Sequence, residues 1–67
     1  MARKPLPKPP TIVAYRPNGV EYQRVTSWDV EVTANMMRGA IRNDRGWTPT
    51  FRVLSGEGQD ITHVYRV

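Results

Sequence analysis

Three side chains near the C-terminus come closest to a catalytic set. Asp60 and His63 stand three apart, and Ser55 precedes them in a glycine-rich stretch. Nucleophilic catalysis needs a base within hydrogen-bond reach of the nucleophile and a third group to orient it. If Ile61–Val67 is a strand, as its alternation suggests, Asp60 and His63 point to opposite faces and form no dyad. A lone strand His is then a surface or partly packed residue. Asp44, Glu57 and Asp60 fall in loops, without the spacing of acid–base pairs or calcium ligands. Ser55-Gly56-Glu57-Gly58 is only loosely like a phosphate loop. It lacks the closing Lys, a strand follows it, and Glu57 would repel phosphate. With no cysteine and one histidine, a thiolate or multi-His metal centre cannot be assembled. The expectation is a non-enzymatic chain without metal or cofactor, whose work is binding.

The residues suited to binding are the cations. Eight of the ten are Arg, which forks onto carboxylates and phosphates and stacks on aromatic rings. Arg38, Arg42 and Arg45 fall near the end of an expected helix, and Trp47 follows. Arg3, Lys4 and Lys8 lie in the first ten residues. These seven side chains form the candidate contact set. One partner class is a larger protein. The other is nucleic acid, gripped by arm and helix together, with Tyr15, Tyr22 and Tyr65 as stacking platforms.

The placement of charge separates the two. The chain carries +4, of which +3 sits on residues 1–10. The other 57 residues hold seven Arg against six acids. A nearly balanced body with a basic leader favours a small regulatory protein that docks on a larger one, such as an inhibitor or modulator of nucleic-acid-handling machinery. A nucleic-acid-binding module is the alternative. The plainer reading of the same residues is Glu31 paired with the helix Arg residues, the other cations solvated, and Trp28, Tyr22 and Phe51 in the core.

The elements that must position these groups follow from periodicity. Met1–Pro10 has four prolines and reads as a flexible, extended basic arm. Its Lys4-Pro5-Leu6-Pro7-Lys8-Pro9-Pro10 stretch fits a proline-rich ligand, or more plainly a soluble spacer. Residues 11–67 form one α+β domain. Thr11–Arg16 and Val20–Val25 flank Pro17-Asn18-Gly19 as a hairpin. A two-residue Asn-Gly loop would pair Tyr15 with Tyr22 and gather Val13, Tyr15, Val20 and Tyr22 on one face. A three-residue loop would pair Arg16 with Val20 and mix the faces.

Ser27–Asp44 reads as the one long helix, with Ser27 as N-cap or Thr26–Asp29 as a capping box. Asp29 and Glu31 suit its positive end, and Arg38 and Arg42 its negative end. Two apolar strips run along it: Trp28, Val32, Met36 and Ala40, and Val30, Ala34, Met37 and Ile41. A helix with so wide an apolar surface is covered on more than one side, by its own sheet or by a partner chain. The rival reading makes Trp28–Thr33 a strand and the helix Ala34–Arg42. Asn43, Asp44 and Gly46 are helix-stop and turn residues, and the segment leaving the helix ends in Thr48-Pro49. Thr50–Val67 reads as a second hairpin, with Phe51–Leu54 and Ile61–Val67 about a mobile Gly-rich loop.

The expected architecture is therefore ββαββ: an antiparallel sheet of two hairpins with one helix across it. So small a core without disulfides makes a homodimer an available source of stability. No apolar stretch reaches membrane-spanning length, and no secretory signal pattern opens the chain. The expectation is a complete, cytoplasmic reading frame.

Overall fold

The computed structural model describes residues 8–67. Three strands, β1 (Thr11–Tyr15), β2 (Glu21–Thr26) and β3 (Thr50–Leu54), form an antiparallel sheet in the order β2-β1-β3. One helix, α1 (Val30–Arg45), lies between β2 and β3 in sequence, and a 3-10 turn at Thr62–Val64 follows β3. The fold is α+β, as expected, but its order is ββαβ. The fourth strand and second hairpin of the expected ββαββ do not form.

The first hairpin closes through three loop residues. Arg16 donates its N–H to the Val20 carbonyl at 2.8 Å, and Gly19 donates to Arg16 at 2.8 Å. A two-residue turn would need positive φ at Asn18 as well as Gly19. Of the residues here only Gly19 has it, at +88°, while the Asn18 side chain accepts the Val20 N–H. Pro17, with its fixed φ, suits the first corner of such a turn. This loop starts the ladder one residue out of step, pairing Tyr15 with Glu21. A bulge then leaves Tyr22 without a partner, and Ala14–Gln23, Val13–Arg24 and Ile12–Val25 pair in sequence. The extra residue corrects the register and turns Tyr22 toward the helix side of the sheet. The expected Tyr15–Tyr22 pair is absent, and Val20 is exposed.

The core sits between α1 and one face of the sheet. Ile12 and Ala14 from β1, Phe51 and Val53 from β3, and Val30, Ala34, Met37 and Ile41 from α1 form it. Tyr22, Val25, Trp47, Ile61, Tyr65 and Val67 pack at its margin, half-buried. Helical spacing put those four α1 residues on one strip, and that strip is the buried one.

Helix α1 starts three residues after Ser27. Ser27 nonetheless shapes the start: its Oγ accepts the Asp29 N–H at 3.1 Å and the Thr33 hydroxyl at 2.9 Å. Asp29 occupies the N-cap without a side-chain cap bond. The strand reading of Trp28–Thr33 fails, since Val30–Thr33 are helical. At the far end Gly46 adopts the left-handed conformation and donates its N–H to the Arg42 carbonyl, a common helix stop.

The second hairpin begins and then breaks. Ser55 donates to Gln59, Leu54 bridges Asp60, and Ile61 donates to Val53. The next rung is taken by a side chain: the Val53 N–H goes to Thr62 Oγ1 at 2.9 Å. Asp60 Oδ1 in turn accepts both the N–H and the hydroxyl of Thr62. Short polar side chains compete with the ladder for backbone groups, and here they win. The chain turns through the 3-10 segment and runs along one edge of α1. There the Arg66 N–H donates to Glu31 Oε2 and Arg38 donates to the Val67 carbonyl at 2.6 Å.

Of the arm expected at 1–10, residues 1–7 lie outside the described residues. Pro10 is buried and its carbonyl accepts the Ser27 N–H at 3.1 Å. The Lys8 side chain lies against Gly56, so close that a Cβ built there would clash with Lys8 Cβ.

Candidate binding surface

The end of the molecule where α1 stops gathers most of the described contact set. Tyr22 is its centre. The bulge presents its ring on the helix side, where Trp47 meets it edge-on at 5.1 Å between centroids and 88° between planes. Arg45, in the last turn of α1, donates from Nε to the Tyr22 hydroxyl at 3.1 Å. Its guanidinium carbon stands 6.0 Å from the ring centroid, and that of Arg16 stands 5.2 Å away. Both lie within cation–π range. Arg42, one turn earlier on α1, is exposed.

Charge pairing separates these cations from Arg24 and Arg52, though not from Lys8, Arg38 and Arg66, which form no ion pair with a described residue either. The two ion pairs among the described residues lie elsewhere. Arg24 grips Glu21 through two contacts, at 2.8 and 2.6 Å, and Arg52 meets Asp60 at 3.1 Å. Their carboxyls are held below the ordinary range. At Glu21 the cause is the Arg24 hydrogen bond. At Asp60 it is chiefly the hydrogen bonds from the Thr62 hydroxyl and N–H, with Arg52 adding less. Arg16, Arg42 and Arg45 have no carboxylate within 4 Å. Asp44 shares the last turn of α1 with Arg42 and Arg45 and forms no ion pair.

The other contact candidates separate. Arg38 is half-buried, bound to Asn35 Oδ1 and the Val67 carbonyl, with its guanidinium 5.2 Å from the Phe51 ring centroid. It ties the C-terminus to the helix. Lys8 is exposed beside Gly56. Arg3 and Lys4 lie outside the described residues. Tyr15, Tyr22 and Tyr65 do not share one outward platform. Tyr22 and Tyr65 pack at the core margin, and Tyr15 pairs with Glu21 and Thr50 on the outer face of the sheet. Sequence reasoning missed Arg16, and it took Tyr22 either as a stacking platform or as core. The available signal was the three-residue turn, which brings both to the end occupied by Arg45.

A second bare surface lies on the back of α1. Trp28, Val32 and Met36 are 58%, 59% and 69% exposed, and Ala40 is exposed too. This is the other apolar strip of the helix.

The residues considered for catalysis do not assemble. His63 is exposed in the 3-10 turn, and Asp60 is engaged by Thr62 and Arg52. Among the described residues there is no pocket and no cluster of three metal-ligating side chains. No described helix is long and apolar enough to cross a membrane. Compared with known proteins, the chain matches no family model, no curated protein and no solved structure.

Proposed function

We propose that this chain is a small non-enzymatic regulatory protein that docks on a larger protein through the end built from Arg16, Tyr22, Arg42, Arg45 and Trp47. One observation carries the reading: the guanidiniums of Arg16 and Arg45, without carboxylate partners, stand over the ring of a Tyr22–Trp47 pair, with exposed Arg42 in the same last turn of α1 as Arg45. Arg, Tyr and Trp dominate the energetically decisive centres of protein interfaces. The complementary partner offers carboxylates to the guanidiniums and an apolar rim to the rings. An inhibitor or modulator of nucleic-acid-handling machinery stays within this proposal.

Nucleic acid is the second reading, favoured by the same unpaired cations. A phosphate track requires cations spaced along a groove. Arg24, Arg52 and Arg38 do not extend one, because Glu21, Asp60 and the Val67 carbonyl engage them. Immobilised full chain, incubated with nuclease-treated lysate of the source, tests the choice. The expected result is a retained protein that Arg42→Glu releases. Loss of all recovery after nuclease treatment, with steeply salt-dependent binding of a labelled oligonucleotide, would transfer the function to nucleic acid.

A further inference from the structure

We propose that the back of α1 takes a second copy of this chain, the two helices packed antiparallel about Met36. The apolar contact uses none of the residues of the Arg–aromatic end; only the charges of Arg42 and Arg45 enter, to set the helix direction, so the contact stands independently of the reading above.

The bare row has a shape that fits its own reverse. Val32, Met36 and Ala40 recur every four residues, which makes a ridge along the helix. Reversing the row about Met36 sets Val32 of one copy against Ala40 of the other, large against small, with Met36 meeting Met36. An isologous two-fold contact requires this self-complementarity. Methionine, flexible and polarisable, adapts to such a centre. Gly39 flanks the row, exposed, with nothing within 4 Å of the place a Cβ would occupy. The helix backbone is therefore open to close approach at this point.

Charge selects the direction. Acids Asp29 and Glu31 mark the start of α1, and its last turn carries Arg42 and Arg45 against the single acid Asp44, a net positive end. Each set matches the dipole of its own end. An antiparallel pair places each end beside its opposite, whereas a parallel pair places like beside like. The C-terminal tail occupies the Glu31–Arg38 edge of the helix and leaves the back free. Trp28 extends the apolar surface toward the partner's last turn. Four side chains fall well below the roughly 20–30 residues a side of a standard interface, so the association is reversible and concentration-dependent.

Sedimentation equilibrium of the full chain from about 1 μM to about 1 mM tests this. The mass should climb toward twice the 7.7 kDa of one chain. Met36→Lys, at an exposed position, should keep the helical circular dichroism and weaken association at least about tenfold. The absence of native cysteine permits a geometric test. Helices 8–10 Å apart leave facing Cα atoms roughly 4–5 Å apart, which a disulfide spans. Mild oxidation should therefore link Met36→Cys chains rapidly and Val32→Cys chains slowly, while the Val32→Cys/Ala40→Cys chain links as rapidly as Met36→Cys. A wild-type chain that stays monomeric throughout would overturn the proposal. So would undiminished association of Met36→Lys, which would place the contact elsewhere, for example on the β2 edge. Equal linking of Val32→Cys and Met36→Cys would overturn the antiparallel arrangement.

Discussion

The outer face of the sheet and the back of α1 are both layers with no element of the described chain packed on them, yet they are finished differently. On the sheet, Val13 lies between its cross-strand neighbours Arg24 and Arg52 and is completely buried. Long Arg stems cover apolar surface while their charged heads reach water. Each head meets an acid, Glu21 or Asp60. The surface is closed by its own side chains and electrically settled. On α1, Val32, Met36 and Ala40 have no such cover. A face that buries its apolar residue and pairs its charges needs no partner, and a face that does neither is available for one.

Substitutions of matched chemistry on the two faces sharpen the contrast. Val13→Ala should cost about 1–3 kcal/mol in urea denaturation, because it empties a buried site. Val32→Ala should stay within about 0.5 kcal/mol when measured on dilute monomer. Equal costs would erase the distinction. Next in size is Thr62→Val, which removes the hydroxyl that accepts the Val53 N–H. It should destabilise by about 1–2 kcal/mol and speed amide exchange at Val53. Unchanged exchange would mean that the broken hairpin is held by something else. Arg42→Gln should change stability by less than about 0.5 kcal/mol and weaken partner retention, since it has no described ion pair to lose.

The smallest effect concerns pH. Folded Glu21 and Asp60 have carboxyl pKa values lowered below their ordinary 4.5 and 3.8. Such groups contribute their full stabilisation above the unfolded pKa and lose it as pH falls through the folded value. Both are exposed, so screening keeps the contribution small. Denaturation midpoints should therefore decline gently on acidification from about pH 5 to about pH 2. In Arg24→Gln and Asp60→Asn chains the decline should be shallower.

Much of this fold is legible in the residues, and the departures have local causes. The periodicity of Val30, Ala34, Met37 and Ile41 specifies the buried helix face because one face must meet the sheet. Pro17-Asn18-Gly19 specifies a turn. Its length was misjudged because facial segregation was asked of the loop, whereas a bulge at Tyr22 supplies it. Ile61–Val67 alternates like a strand, but Asp60 and Thr62 intercept the ladder, and alternation does not register such competition. The candidate contact residues were less legible. Arg42, Arg45 and Trp47 converge because Gly46 turns the chain beside the helix end. Arg38 sits on the same helix yet is drawn to Phe51 and Val67, partners far away in sequence.

The central claim is that the back of α1 is an interface and the outer sheet face is not. Amide chemical shifts of the labelled full chain, followed as its concentration is raised, test this most directly. The account predicts concentration-dependent shifts centred on Val32–Ala40 and constant positions for Val13, Arg24 and Arg52. Shifts that gather on the sheet face while α1 stays unchanged would contradict it, as would a spectrum indifferent to concentration.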